Sequence, residues 1–207
     1  HCREGRIWTS KDGRSWKLSQ KLPMAPFTLA INGGTTAVGG IDDAVTLGAG
    51  RAVIASDAGK EWGVTKPLGK RKSQMTASAP YGEGLAMAGW QWRENADLPT
   101  SAVYVSADGE AWEPIRHQQL KGISAAGLDT SGELVLVAGT HFDPEIGTLP
   151  RAYWSRDLET FSEVAFPEGL EFDGLGLHGV TISDDGTMAV AVGQQGYRAA
   201  IWYSPIE

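Results

Sequence analysis

Cysteine, long apolar runs, clustered basic charge and metal-site spacings are all scarce or missing in this sequence. The single cysteine, Cys2, excludes a disulfide within the chain. No segment reaches the roughly 18–20 consecutive apolar residues of a membrane-spanning helix, so no membrane span is expected. The 4 histidines are scattered and a cysteine pair is impossible. We therefore expect neither a metal site nor another cofactor.

Positive charge is also in short supply. The chain has 25 Asp and Glu against 18 Lys and Arg, a formal net charge of −7. Binding to nucleic acid requires clustered cations that neutralise phosphates, so a nucleic-acid partner is not expected. The one basic run, 66–72, is interrupted by Pro67 and Gly69 and is interpreted as a solvated loop.

A short motif, in contrast, recurs at a nearly constant interval. Its clearest copy is SADGEAW at 106–112, and related copies begin at Ser10, Ser56 and Ser155, with Ser204 continuing the series. The steps between successive motif serines are 46, 50, 49 and 49 residues. A period of roughly 40–50 residues with several strands per repeat is typical of β-propeller blades.

Each copy of the motif is predicted to form a tight turn between two strands. The aspartate accepts hydrogen bonds from turn amides, and the following glycine adopts a positive φ without a Cβ clash. The aromatic residue near the end of the motif is expected to fold back on its own hairpin. The copy at 155–161 lacks the glycine, which predicts a looser hairpin. The residues given this structural role are Ser10, Asp12, Trp16, Ser56, Trp62, Ser106, Asp108, Trp112, Ser155, Asp157 and Phe161.

These motif residues resemble the Asp-box, or BNR, repeat of sialidases, sortilin-type receptors, some glycanases and photosystem assembly factors. The resemblance covers the whole chain through its period. It implies a β-propeller and is nearly silent on activity. The residues of a sialidase site are not recognised, since Arg6-Ile7 is followed by Trp8 instead of proline and no Tyr–Glu pair is assigned by motif.

We predict a single all-β domain over 1–207 that forms a small β-propeller with about five blade positions. The N-terminal part supplies the third and fourth strands of a blade, and the C-terminal repeat supplies the first three. A four-bladed closure and a fragment of a larger propeller are alternatives, and a fragment would expose an unpaired edge that recruits another chain into an oligomer. The predicted segments are a partial blade at 6–18 and repeats at 27–65, 75–116, 123–164 and 178–204.

The long loops between second and third strands are predicted to meet on the face opposite the motif turns. They combine aromatic, amide and charged residues, the composition of a sugar or peptide site. The alternative is that these side chains pack within their own loops or are solvated. The candidate ligand-binding residues are Gln91, Trp92, Arg93, His141, Asp143, Tyr197 and Arg198.

The sequence favours a non-enzymatic binding module that presents this loop face to a protein or carbohydrate partner, and no catalytic residue is assigned. The alternative is a glycoside hydrolase, which needs two carboxylates roughly 5–10 Å apart. A secreted, cell-surface or periplasmic location is expected, with Cys2 as the lipidated residue of a processed lipoprotein as one route to it. The acidic loop residues available for a hydrolase pair are Asp43, Glu94, Asp97, Asp143 and Glu145.

Overall fold

The computed structural model describes residues 4–42, 49–56, 61–68, 73–92, 99–143, 145, 147–166, 176–196 and 198–206. Within these ranges the chain forms seventeen β-strands and no helix, so the predicted all-β class is confirmed.

The strands form five antiparallel sheets, numbered here in chain order. Sheet 1 contains β1 (Gly5–Ser10) and β2 (Trp16–Leu22). Sheet 2 contains β3 (Ala25–Asn32), β4 (Thr35–Asp42), β5 (Ala49–Ser56) and β6 (Glu61–Val64). Sheet 3 contains β7 (Ser73–Tyr81), β8 (Gly84–Gln91), β9 (Thr100–Ser106) and β10 (Glu113–Ile115). Sheet 4 contains β11 (Ile123–Ser131), β12 (Leu134–Asp143), β13 (Gly147–Ser155) and β14 (Ser162–Glu163). Sheet 5 contains β15 (Gly176–Ile182), β16 (Met188–Gln195) and β17 (Arg198–Pro205).

Within every sheet each strand pairs with the next one along the chain. Because all pairs are antiparallel, the connections alternate between the two ends of a sheet. The turns between first and second strands and the motif turns between third and fourth strands therefore share one end, which we call the turn end. The connections between second and third strands lie at the other end, which we call the loop end.

Successive sheets pack face to face, and each pair buries its own apolar cluster. Sheet 1 contributes Ile7 and Leu22 to a cluster with Val38 of sheet 2. The other three clusters join sheets 2 and 3, sheets 3 and 4, and sheets 4 and 5. The second strands β8 and β12 supply residues to the clusters on both of their sides, which is why their sequences are continuously apolar.

A β-bulge interrupts each four-stranded sheet and sheet 5 between the first and second strands, near the loop end. A glycine of the second strand faces the first strand there. At Gly139, an added Cβ would lie inside van der Waals contact of the Ser124 carbonyl oxygen and 2.7 Å from the Ala125 Cα. The equivalent glycines in the other sheets meet the same obstacle: Gly40, Gly89 and Gly193. Glycine at this point allows the two backbones to approach closely.

Polar side chains link the first strands of neighbouring sheets at intervals of about fifty residues. Thr28 Oγ1 lies 2.7 Å from Ser78 Oγ, and Thr76 Oγ1 donates to the Ala125 carbonyl at 2.7 Å. Thr181 Oγ1 donates to Asp129 Oδ2, also at 2.7 Å. Equivalent positions of neighbouring sheets are therefore separated by one repeat of the sequence.

The three described motif turns share one hydrogen-bond pattern. In the copy at 106–112, Asp108 Oδ1 accepts the amides of Glu110 and Ala111 at 2.7 and 2.9 Å, and Ser106 Oγ accepts the Gly109 amide. The copies beginning at Ser10 and Ser155 repeat it. The remaining copy begins at Ser56. Its residues 57–60 and the side chain of Ser56 lie outside the described residues.

The turn without glycine keeps the hydrogen bonds of the other copies, while strands β13 and β14 beside it pair over two residues each. Leu158 stands where the other copies have glycine, and it adopts φ 60° itself. Its amide donates to Ser155 Oγ at 2.9 Å, as a glycine amide does elsewhere. The backbone strain of a non-glycine residue in this region is offset by contacts of the Leu158 side chain with the cluster between sheets 3 and 4.

The described motif aromatics of sheets 2 to 4 join apolar clusters shared by two successive sheets, which corrects the expectation that each hairpin has a small core of its own. Trp62 contacts the cluster of sheets 1 and 2, and Trp112 contacts that of sheets 2 and 3. Phe161 is buried in the cluster of sheets 3 and 4. Trp16 belongs to the first sheet and is 59% exposed.

Candidate functional site

Four of the seven predicted ligand-binding residues have described side chains, and all four lie at the loop end. Gln91 ends β8 and Trp92 follows it, His141 lies near the end of β12, and Arg198 begins β17. They therefore belong to three successive sheets. Arg93 and Tyr197 lie outside the described residues, and of Asp143 the structure describes only the backbone, which pairs with Gly147.

His141 is held in place by the chain that enters sheet 4. Its Nδ1 lies 2.9 Å from the Gly122 carbonyl oxygen. Since a carbonyl oxygen only accepts, Nδ1 carries the proton and Nε2 is left as an acceptor in the neutral ring. A Cβ at Gly122 would lie 2.8 Å from the His141 ring, and Gly122 has φ 78°. The ring is thus fixed by packing and by its contact with the Gly122 carbonyl.

Asp42 is the one buried acidic side chain in the described part of the chain, at 6% exposure. It ends β4, so it lies at the loop end of sheet 2, beside the sheet that carries Gln91. Burying an ionised carboxylate is costly unless the group is hydrogen-bonded or paired.

A cleft of about 980 Å³ lies between the outer parts of sheets 2 and 3. A second cleft of about 790 Å³ shares Leu68, Tyr104 and Trp112 with the first. We call the two together the inter-sheet groove. It begins near the motif turn of sheet 3 and continues towards the loop end. Its remaining lining includes Trp62, Lys66, Asp108 and Glu110 at the first cleft, and Gln91, Arg116, His117, Gln118 and Lys121 at the second.

The aromatic side chains of the groove are anchored by the fold. Trp112 Nε1 donates to the Gly109 carbonyl at 2.7 Å, which fixes the indole ring beside the motif turn. Burial raises the pKa of Tyr104, while the charge of Arg116 lowers it in part. The Tyr104 phenol is therefore protonated at neutral pH. The groove offers apolar ring surface, a hydroxyl group and the Arg116 guanidinium within one lining.

The carboxylates with shifted acidity at the turn end are unsuited to general-acid catalysis. Backbone hydrogen bonds from Ala111 and Glu110 hold the pKa of Asp108 below its usual value, and the same kind of contact lowers the pKa of Asp12 and Asp157. Hydrogen bonds from Ser183 and Thr187 lower the pKa of Asp185 to about 2. A general acid at neutral pH requires a raised pKa.

The sequence analysis missed the inter-sheet groove. Trp62 and Trp112 were assigned structural roles only, and the basic run at 66–72 was interpreted as a solvated loop. The structure places Lys66 and Leu68 of that run in the groove lining, and the Leu68 amide donates to the Gly50 carbonyl at 2.8 Å. One signal in the sequence could have indicated the groove: Lys66 and Leu68 closely follow an outer strand that carries Trp62.

Comparisons with known proteins identify the fold. No protein-family model matches the chain, and no curated protein matches it. An ancestral GH74 enzyme aligns with a TM-score of 0.63 at 16% identity, over 94% of this chain and 26% of that one. The β-propeller domain of the Trilobed protease from Pyrococcus furiosus, which has an open velcro topology, gives 0.61 at 14% identity, over 99% and 62%. YCF48 bound to D1 peptide gives 0.56 at 13% identity, over 91% and 53%.

These likenesses show a β-propeller fold, as predicted from the period of the motif. The chain spans between 26% and 62% of the length of those three structures. The described residues contain no helix of the length and hydrophobicity that crossing a membrane requires. Across the same residues, no group of three or more His, Cys, Asp or Glu side chains is arranged to hold a metal ion.

Proposed function

We propose that this protein is a non-enzymatic binding module that holds a protein or carbohydrate partner in the inter-sheet groove and at the adjoining loop end. One observation carries the proposal: Tyr104 and Trp112 line both clefts of the groove. Trp62 and Lys66 join them in the first cleft, and Arg116 joins them in the second. Aromatic faces stack on the apolar patches of sugars and on peptide side chains, while charged and amide groups fix the orientation of the ligand.

Two of the similar structures support the choice of partner classes at the level of fold. YCF48 was solved with a bound peptide, and the GH74 protein is an enzyme of a glycoside hydrolase family. A propeller is therefore a suitable scaffold for either partner, and the residues of the groove must decide between them. A secreted or cell-surface location belongs to the same proposal.

The Asp108 carboxylate is unsuited to glycoside hydrolysis. Of the acidic groove residues, Asp108 is occupied by its own turn, where the lowered pKa keeps it ionised. A hydrolase pair would have to come from Glu110 of the groove or from the acidic loop residues. Asp43, Glu94 and Asp97 lie outside the described residues, and the side chain of Asp143 does too.

The proposal predicts that reversing one charge in the groove weakens binding. The chain is screened on a glycan array and against a displayed random-peptide library, and the best ligand is then titrated against Arg116→Glu. We expect an affinity at least about tenfold lower, because Arg116 supplies a charged hydrogen-bond donor beside the aromatic lining. The matched control is Arg14→Glu, which reverses the same charge on an exposed residue of the turn end and should bind normally.

Chromatography of the bound glycans tests the hydrolase alternative in the same experiment. Intact ligand after long incubation agrees with a binding module, whereas shortened glycans would show an enzyme. Equal affinities of Arg116→Glu and the unmodified chain, or an equal loss in both arginine variants, would contradict the groove as the binding site.

A further inference from the structure

The outer strand of sheet 2 has an open edge. β6 is the last strand of that sheet, and the structure describes no strand on its far side. Half of the backbone N–H and C=O groups of such a strand point away from its neighbour, where a further strand can pair with them. The Leu68 amide donates to the Gly50 carbonyl at 2.8 Å, so the chain after β6 stays beside β5. The open edge therefore continues for several residues beyond Val64.

The first cleft of the inter-sheet groove runs along this edge. Its lining includes every residue from Trp62 to Leu68. Because neighbouring side chains of a strand point to opposite faces, a cleft that contacts every residue in turn follows the edge of the strand and not one face. Tyr104 and Trp112 of sheet 3 line the same cleft. An occupant of the cleft would thus lie between the edge of one sheet and the aromatic side chains of the next.

The glycine within β6 is not required by the fold. An added Cβ at Gly63 meets nothing within 4 Å, and Gly63 is not among the glycines with a positive φ. Glycine within a strand weakens it, and it often marks a place where another backbone approaches closely. Gly63 lines the first cleft, so the approaching backbone would be that of a ligand in the cleft.

The outer strands of sheets 3 and 4 are less suited to pairing. β10 has three residues with Pro114 at its centre, and proline lacks the amide hydrogen that a further strand needs. β14 has only two residues. β6 has four residues and contains no proline. Short strands and proline are the usual protection of a sheet edge, and β6 is the one of these three outer strands with the weakest protection.

Positive charge collects where the groove continues into the second cleft. Arg116 and Lys121 line that cleft, and no acidic side chain of the described residues does. The chain as a whole has a formal net charge of −7, so this lining contrasts with the rest of the protein. The acidic groove residues Asp108 and Glu110 lie in the first cleft. A ligand that follows the groove is therefore expected to be acidic at the end that reaches the second cleft.

We propose that an extended peptide segment of a partner protein pairs as a further strand with β6, and that its acidic end lies at Arg116 and Lys121. The inference rests on the proposed function and chooses a protein over a carbohydrate as the partner. A row of alternating backbone donors and acceptors matches the backbone of a peptide, whereas a glycan has no such spacing. Main-chain hydrogen bonds supply the affinity in this mode of recognition, and pockets for side chains supply the specificity.

Strand pairing leaves a signature in the backbone of the ligand. The best peptide from the displayed library is synthesised with one N-methyl group at each position in turn. Amides of a paired strand point alternately towards and away from the neighbouring strand, so the affinity should fall at least about tenfold at every second position and change little between them. Hydrogen exchange of residues 62–68 should slow when the unmethylated peptide binds.

Losses without this alternation, or unchanged exchange of residues 62–68, would overturn the strand pairing. The proposed function would survive that result if Arg116→Glu still weakened binding. A glycan ligand from the array together with no enriched peptide would also overturn the inference and leave the groove as a binding site. Absence of any ligand in both screens would contradict the inference and the proposed function together.

Replacement of Asp and Glu in the peptide by Asn and Gln tests the expected charge. The affinity of the unmodified chain should fall at least about tenfold, whereas Arg116→Gln with Lys121→Gln should bind both peptides equally. Arg14→Gln with Lys17→Gln removes the same charges from exposed residues of sheet 1 and should keep the full difference. Enriched peptides without acidic residues, or equal binding of both peptides by the unmodified chain, would overturn the acidic end.

Discussion

Gly139→Ala is expected to destabilise the fold by about 3 kcal/mol or more, because the obstacle to a side chain is backbone and cannot rotate away. The new Cβ would meet the Ser124 carbonyl oxygen and lie 2.7 Å from the Ala125 Cα. Relief would require β11 and β12 to separate beside the bulge, with loss of the hydrogen bonds that pair them. Chemical denaturation followed by far-UV circular dichroism measures the change in the free energy of unfolding.

Gly34→Ala is the matched control for this substitution. Gly34 lies in the turn between β3 and β4, and an added Cβ there meets nothing within 4 Å. Its free energy of unfolding should stay within about 0.5 kcal/mol of the unmodified chain. Similar stabilities for the two variants would mean that the close approach of first and second strands is absent from the protein in solution.

Leu136→Ala should lower the free energy of unfolding by about 3 kcal/mol, within the usual range of buried Leu truncations. Leu136 is 0% exposed and lies in the cluster between sheets 4 and 5. Truncation removes the favourable free energy of transferring the side chain out of water, and it leaves a cavity between two sheets. The backbone hydrogen bonds within each sheet hold the strands in place, so the structure can collapse only partly around the cavity. Thermal and urea denaturation report the loss.

Val64→Ala serves as the exposed comparison. Val64 ends the outer strand of sheet 2 and is 48% exposed, so truncation should change the free energy of unfolding by less than about 1 kcal/mol. A loss for Leu136→Ala as small as that for Val64→Ala would contradict burial between sheets 4 and 5.

The sequence was sufficient for the fold class because the period of the motif is a local signal repeated several times. The serine and aspartate of each motif bond to amides within the same turn, so their role follows from neighbours in sequence. The direction in which the aromatic residues pack could not be deduced this way. Trp112 packs against a cluster that sheets 2 and 3 share, and the existence of that cluster depends on how successive sheets stack.

The groove was harder to predict than the turns for the same physical reason. Tyr104 and Lys66 are separated by a whole repeat in sequence and share a lining only because sheets 2 and 3 lie side by side. Composition of the loops indicated Gln91, which does line the groove. It gave no indication that Arg116, which follows an outer strand, would lie in the same lining.

The stacking of neighbouring repeats is tested most directly by a disulfide between residues 28 and 78. The Oγ atoms of Thr28 and Ser78 lie 2.7 Å apart, a separation that lets two cysteine side chains reach each other. In a Cys2→Ser background, Thr28→Cys with Ser78→Cys should cross-link on mild oxidation, as shown by peptide mass mapping. Thr28→Cys with Ser124→Cys should not, because sheet 3 separates those strands. Absence of the first cross-link in folded protein, or equal formation of both, would contradict the stacking of sheets at one repeat per step.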